Sequence, residues 1–266
     1  LAGVILVENA GSVTVQNLKI DGANVTSLPS GANRLSGIVY GESGGQISNV
    51  TLNSIKTAGY ADRTYVIDVS AGGAARSVEV DNNTINDYAR TAIQLQGASL
   101  TADVHDNDIT GPGAIGPANV PNGIVFIQNA VGVASDNVVH ALHYTGSGSR
   151  SGGLMAFAAT GGASVVFSGN EVYDTDDAVI LASNSTNVTV EGNNFHDNGV
   201  GIQLENGANN NTITKNNITD STIVGIRFDG ASNPGGGSTP PGAGNVANRN
   251  NISGNAAGVV NYDVTP

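Results

Sequence analysis

Residues 188–229 read VTVEGNNFHDNGVGIQLENGANNNTITKNNITDSTIVGIRFD, and one pattern is written twice within them. VTVEGNNF at 188–195 is answered by TITKNNI at 212–218, and GIQLE at 201–205 by GIRFD at 225–229. Apolar and polar residues alternate inside each run, the period of a strand with one buried face. No helical spacing intervenes. A unit of two or three such strands cannot bury its apolar face alone, so it must stack on copies of itself.

The same pair recurs in both directions along the chain. GIQLE-like runs place their first apolar residue at Val4, Ile38, Val66, Ile93, Ile124, Leu154, Val179, Ile202, Ile226 and Val259, 23 to 34 residues apart. Between them lies a second run, apolar-x-apolar-x-x-Asn-x-apolar. Its Asn falls at Asn83, Asn107, Asn137, Asn170, Asn193, Asn216 and Asn250, with Leu18 and Ile55 in that slot in the first two repeats. The chain is therefore expected to be an all-β solenoid of about ten coils. At the spacing of hydrogen-bonded strands the rod is roughly 45 Å long. An Asn recurring at one inward bend predicts an internal ladder, each amide bonding its neighbours above and below. Unequal repeat lengths place insertions at 21–34, 57–64, 110–122, 141–152 and 231–245 of one domain spanning 1–266.

Composition agrees. Thirty-three of 266 residues are Asn and 37 are Gly, while charged residues make up only 12%. The absence of Cys excludes a disulfide scaffold and a thiolate zinc site. Ten Lys and Arg against 22 Asp and Glu, a net charge of −12, argue against a nucleic-acid partner. No apolar run reaches the length of a helical membrane span. The chain opens on Leu1 with no basic-then-apolar leader, which reads as a mature or excised chain. Low Lys with abundant Asn, Thr, Ser and Gly leads to an expectation of extracellular or cell-surface localisation.

The G-I-x-L and N-x-I repeats resemble the right-handed parallel β-helix of the pectin lyase-like superfamily over nearly the whole chain. The resemblance implies a polymer-binding groove on the outward face of one sheet. With Ile202 and Leu204 inward, the first outward column reads Ile5, Val39, Ile67, Gln94, Val125, Met155, Ile180, Gln203, Arg227 and Val260. The second reads Val7, Gly41, Val69, Gln96, Ile127, Phe157, Ala182, Glu205, Asp229 and Tyr262. So long an apolar stripe is expected to be covered by the insertions or by another chain.

Polar groups collect at one place on this face. Gln203, Glu205, Arg227 and Asp229 lie on adjacent coils just beyond Asp174, Asp176 and Asp177. A glycosidase needs two carboxylates flanking a sugar bond, so Asp176, Asp177, Glu205, Arg227 and Asp229 are the candidate catalytic residues. DTDDAVIL at 174–181 is similar to the strand-start Asp pair of polygalacturonases, which carries that family's role onto Asp176 and Asp177. Where that family has Gly-His-Gly and Arg-x-Lys, this chain has Gly199-Val200-Gly201 and Arg227-Phe228-Asp229. Asp81, Asp103, Asp106 and Asp108 offer oxygen ligands for a calcium ion between coils, and His196-Asp197 a proton-relay pair.

Neither end carries an amphipathic cap, an expectation of either a piece of a longer chain or a unit that stacks. The sequence thus leads to an extracellular structural or surface module that self-associates, packs on neighbouring domains or adheres. The alternative is a carbohydrate-active enzyme or polysaccharide-binding protein with an acidic groove site.

Overall fold

The computed structural model describes residues 2–28, 30–61, 63–158, 164–228 and 241–261. They form three parallel sheets running side by side along a right-handed β-helix. Sheet A has ten strands, Ala2–Glu8, Arg34–Gly41, Arg63–Ser70, Thr91–Gln96, Asn122–Ile127, Gly152–Phe157, Asp177–Ala182, Val200–Leu204, Val224–Phe228 and Val259–Asn261. Sheets B and C contribute nine strands each, and the chain visits A, B and C in turn in every coil. One 3-10 turn, Ala58–Tyr60, interrupts the pattern among the described residues.

The register explains the G-I signature. Ile38, Ile67, Ile93, Ile124, Leu154, Val179, Ile202 and Ile226 stack as one inward column, each fully buried. The residue before each of them also faces the core, against sheet C. A Cβ added at Gly201 would lie 2.4 Å from the Gly225 carbonyl oxygen and 2.4 Å from Ile218 Cγ2. One at Gly153 would meet Val172 at 2.5 Å. Glycine or alanine fills this slot before seven of the eight column residues and Val66 before Ile67, because two consecutive inward positions leave little room. This doubled inward step also sends the next residue back to the outer face. A Cβ at Gly152 would meet Met155 Cγ at 2.7 Å and Ile180 Cδ1 at 3.1 Å, both outward side chains.

The Asn ladder runs unbroken from Asn83 to Asn250. Each Nδ2 donates to the Oδ1 of the next coil at 2.8–3.0 Å. Each also donates to a backbone carbonyl one coil back, as Asn107 does to Val80 O at 2.8 Å. The backbone N–H of each donates to the same Oδ1 its side chain uses. Groups that water cannot reach are thereby satisfied. The residue before each ladder Asn has a left-handed backbone, φ 54–67°, at Asn82, Asp106, Asp136, Gly169, Gly192, Lys215 and Arg249. That conformation suits Asn, Asp and Gly and accounts for the Asp-Asn and Gly-Asn pairs along the chain.

The other two corners carry shorter ladders. Asn211 and Asn245 bridge the A-to-B corner at 3.0 Å. At the C-to-A corner Asn198 Oδ1 accepts from Thr175 N, and Asn255 Oδ1 from Ser221 N.

Two slots of the repeat differ from the sequence reading. Thr51 pairs with Thr84, so the residue above Asn83 is Val50, not Ile55; Val50 N donates to Asn83 Oδ1 at 2.9 Å. In the outward columns Leu6 and Asp68 stand where Ile5 and Ile67 were expected, and Glu8 and Ser70 where Val7 and Val69 were, since Val39 pairs with Leu6 and Asp68, and Gly41 with Glu8 and Ser70. A slip of one residue moves a side chain to the opposite face. Ile5 and Ile67 point to the core.

Candidate functional site

The outward face of sheet A is not a uniform apolar stripe. It begins with Leu6 and Val39, becomes polar at Asp68 and Gln94, apolar at Val125, Met155 and Ile180, and polar again at Gln203 and Arg227. Val125, Met155, Ile180 and Ala182 form a second apolar cluster, 0–7% exposed, with Ile127 and Phe157 packed against it. The chain buries this stretch by itself. Large exposed apolar side chains among the described residues are confined to the outer coils, at Val4, Leu6, Ile223, Val246 and Val259.

The described parts of the insertions at 22–33, 54–62, 116–121 and 145–151 all run between sheet C and sheet A, so they line one edge of this face. The fourth is held by the two candidate aspartates. Asp176 Oδ2 accepts from Tyr144 N and from Ser151 N, both at 2.9 Å, so one carboxylate oxygen joins the two ends of the loop. Its Oδ1 lies 3.4 Å from His143 Nδ1, and His143 Nε2 lies 2.9 Å from Asp174.

Asp177 opens the strand Asp177–Ala182 and, through the doubled inward step at Ala178 and Val179, belongs to the outward face. It is fully buried. Arg150 Nε donates to both its oxygens at 2.9 and 2.8 Å, and Arg150 Nη2 donates to the Asp176 carbonyl at 2.7 Å. Burial pushes the Asp177 carboxyl up to about 6; Arg150 and Arg227 pull it down and Asp176 pushes it up.

Beyond Asp177, Gln203 and Arg227 are register partners, 1% and 3% exposed. Arg227 Nη2 donates to Gln203 Oε1, and Gln203 Nε2 donates to Glu205. The fold therefore brings Asp177, Glu205 and Arg227 to one face with Arg150. Asp176 turns to the loop, and Asp229 lies outside the described residues. A cleft of about 310 Å³ opens beside them, lined by Tyr144, Gly146, Ser147, Gly148, Ser149, Arg150 and Asp176. Arg150 was not legible as a partner, because it sits in an insertion whose path no repeat specifies.

The proposed calcium set does not come together. Asp103 lies in the sheet B strand Leu100–His105, Asp108 opens the sheet C strand Asp108–Ile115, and Asp106 occupies the turn between. The corner at Asn107 breaks the alternation that would have put them on one face. Asp81 instead accepts from Gln46 at 3.0 Å and Asn82 at 2.8 Å, and Asp106 pairs with His105 at 2.8 Å. Among the described residues no three His, Cys, Asp or Glu side chains converge as metal ligands would.

His196 lies between Asp197 at 2.8 Å and Glu171 at 3.2 Å. It stacks on Tyr173, which stacks on His140, with ring centroids 5.1 and 4.7 Å apart. Asp174 pairs with His143 at 2.9 Å. This column lies on the outer face of sheet C, away from the sheet A cluster.

Comparison with known proteins agrees with this architecture. A family model described as the right handed beta helix region matches residues 72–239. Neither the curated proteins nor the solved structures returned a match to the chain.

Proposed function

The chain belongs to the right-handed β-helix family, and from that premise we propose that it is an extracellular scaffold whose work is attachment to a polysaccharide rather than hydrolysis of one. The observation that supports this reading is how the candidate acids are used. A glycosidase needs one carboxyl group to protonate the leaving oxygen and a second to attack, or to activate water, across the sugar bond. Asp177 has no exposed surface and is clamped by Arg150, while one oxygen of Asp176 accepts from both ends of the loop it closes. Their roles are to lay the 145–150 segment against the rod.

Burial of the apolar patch also bears on the mode of association. With Val125, Met155, Ile180, Gln203 and Arg227 all buried, the accessible polar groups of sheet A lie at its margins, Arg34 and Arg63 at strand starts and Gln96 and Glu205 at strand ends. A rod crossed by three columns of side-chain hydrogen bonds is a rigid display surface for an extended ligand.

One observation favours the hydrolase. A carboxyl group titrating near 6 is what a general acid requires, and Asp177 has that property. The two readings separate in one experiment. The chain is run by affinity electrophoresis through gels containing neutral or acidic polysaccharides, and the same mixtures are assayed for new reducing ends and unsaturated products. Attachment gives retardation without product. Product release that disappears in both D177N and E205Q, with the fold retained, overturns the scaffold reading. So does failure of every polysaccharide to retard the chain.

A further inference from the structure

The chain carries only ten Lys and Arg, and three of them gather on the corner where sheet C gives way to sheet A. Arg34 and Arg63 are register partners at the starts of their strands. Arg90 is one coil further on, directly before the strand Thr91–Gln96. The Arg34 and Arg90 guanidinium carbons lie 5.3 and 6.0 Å from the centroid of the Tyr65 ring. A cleft of about 580 Å³ opens between Asn33, Arg34, Arg63 and Tyr65. The arginine ion pairs among the described residues are Arg34–Asp68 and Arg150–Asp177. Asp68 is buried, so this corner presents an excess of positive charge to solvent.

The corner between sheets B and C carries the opposite sign. Glu79 and Asp103 are register partners on the outer face of sheet B. Asp106 occupies the turn that follows, Asp108 opens the next strand of sheet C, and Asp136 holds the equivalent turn one coil on. Asp103, Asp106, Asp108 and Asp136 are exposed. His105, 3.2 Å from Glu79 and 2.8 Å from Asp106, is the cation paired with this group among the described residues. The acids diverge around the corner and so form a ridge. Side chains on register-paired strands lie about 4.8 Å apart, and like charges at that distance repel unless an opposite charge lies across them.

We propose that the chain associates side by side with copies of itself, the Arg34, Arg63 and Arg90 corner of one rod receiving the Glu79, Asp103 and Asp108 ridge of the next. A second copy supplies the complement in sign and in pitch, because strand spacing sets the same repeat in both ladders. The arginines span the second to fourth coils and the acids the third to fifth. Parallel rods displaced by one strand spacing, about 4.8 Å, set guanidinium against carboxylate coil by coil. The contact joins two different patches and is therefore heterologous. Arg34 is fixed by Asp68 at 3.1 Å, whereas Arg63 is exposed and makes first contact.

The net charge of −12 opposes association at long range, so salt sets the balance. At about 0.1 M the screening length is about 10 Å, which damps repulsion between whole rods and leaves contact pairs intact. At about 1 M it is about 3 Å, and the contact pairs weaken as well. This association is independent of attachment to a polysaccharide, and its failure leaves that reading in place.

The test is sedimentation equilibrium of the intact chain at about 0.1 M and about 1 M sodium chloride, alongside two charge-reversed variants, R63E/R90E and D103K/D108K. Both spare the Arg34–Asp68 pair and the left-handed turn at Asp106, and far-UV circular dichroism verifies that they fold. The weight-average mass of the wild type is expected to rise with concentration at the lower salt and to fall towards the monomer at the higher. Each variant alone should associate at least tenfold more weakly. An equimolar mixture of the two should recover association, because the reversed corner of one meets the reversed ridge of the other. A wild-type chain that stays monomeric at the lower salt overturns the proposal. So does association that survives the higher salt, that is unchanged in either variant, or that the mixture fails to recover.

Discussion

Replacing Asn170 by Ala tests the ladder at its centre. Asn170 is fully buried, and its Oδ1 accepts from Asn137 N at 3.1 Å and Asn137 Nδ2 at 2.9 Å. Its own Nδ2 donates to Asn193 Oδ1 at 2.9 Å and to Ala134 O at 2.9 Å. The Asn137 side chain keeps its bonds to Val104 O and Ser135 O after the substitution. Two buried groups lose their side-chain partner, the Asn137 backbone N–H and the Ala134 carbonyl. At roughly 1–3 kcal/mol for each unsatisfied buried group, the expected loss is about 4 kcal/mol.

Urea unfolding followed by far-UV circular dichroism measures this loss, with an unchanged slope required so that the midpoint reports stability alone. Amide exchange at Asn137 provides a local reading and should accelerate by roughly a thousandfold, the equivalent of about 4 kcal/mol. The control is N250A, at the half-exposed end of the ladder, where water replaces the lost bonds and about 1 kcal/mol is expected. If N170A falls within 1 kcal/mol of wild type, or costs no more than N250A, the ladder does not hold the coils together and the argument fails.

Four further outcomes follow from the same geometry. G201A forces a Cβ to 2.4 Å from a backbone oxygen and should cost about 3 kcal/mol by overpacking; a neutral effect in urea melts would refute the doubled inward step. R150A leaves Asp177 buried without its clamp and should cost about 3–5 kcal/mol at pH 7.5, with much of it recovered in R150A/D177N. Because the folded-state value of Asp177 is raised to about 6 from an ordinary 3.8, the folded chain binds this proton more tightly than the unfolded chain. Acidification from pH 7 towards 4 therefore favours folding through this group, opposite to an ordinary paired aspartate, and D177N should abolish that contribution. At His196, burial lowers proton affinity but Asp197 and Glu171 outweigh it, so the folded-state value is raised. Its stabilisation is present below about 6.5 and lost as pH rises through the folded value; a stability difference between wild type and H196Q that grows with pH would contradict this sign.

The ladder and the G-I signature were legible because each is a local rule repeated in every coil. Asn83 through Asn250 sit at one phase, and neighbouring copies confirm each other even where single residues are ambiguous. Legibility failed where a coil departs from the consensus. In YVIDV the small residue that normally precedes the inward aliphatic is Val66, so the run reads one residue early and Asp68 appears to be inward. That single slip concealed the Arg34–Asp68 pair. The long insertion to Arg63 concealed Val50 in the same way, making Ile55 look like the next ladder slot.

The composition and the repeat were sufficient to determine an all-β solenoid, its approximate coil number, its inward aliphatic column and its Asn ladder. All of these depend on contacts between equivalent residues of adjacent coils, whose separation in the chain is the repeat length itself. What the side chains of the outer face do was decided only in three dimensions. Asp177 meets Arg150 from an insertion, Asp176 ties two loop ends, and Arg34, Arg63 and Arg90 converge across three unequal coils. No period relates those partners, since each contact depends on where a variable loop returns to the rod. A repeat specifies the stack, and the irregular segments between repeats specify the surface.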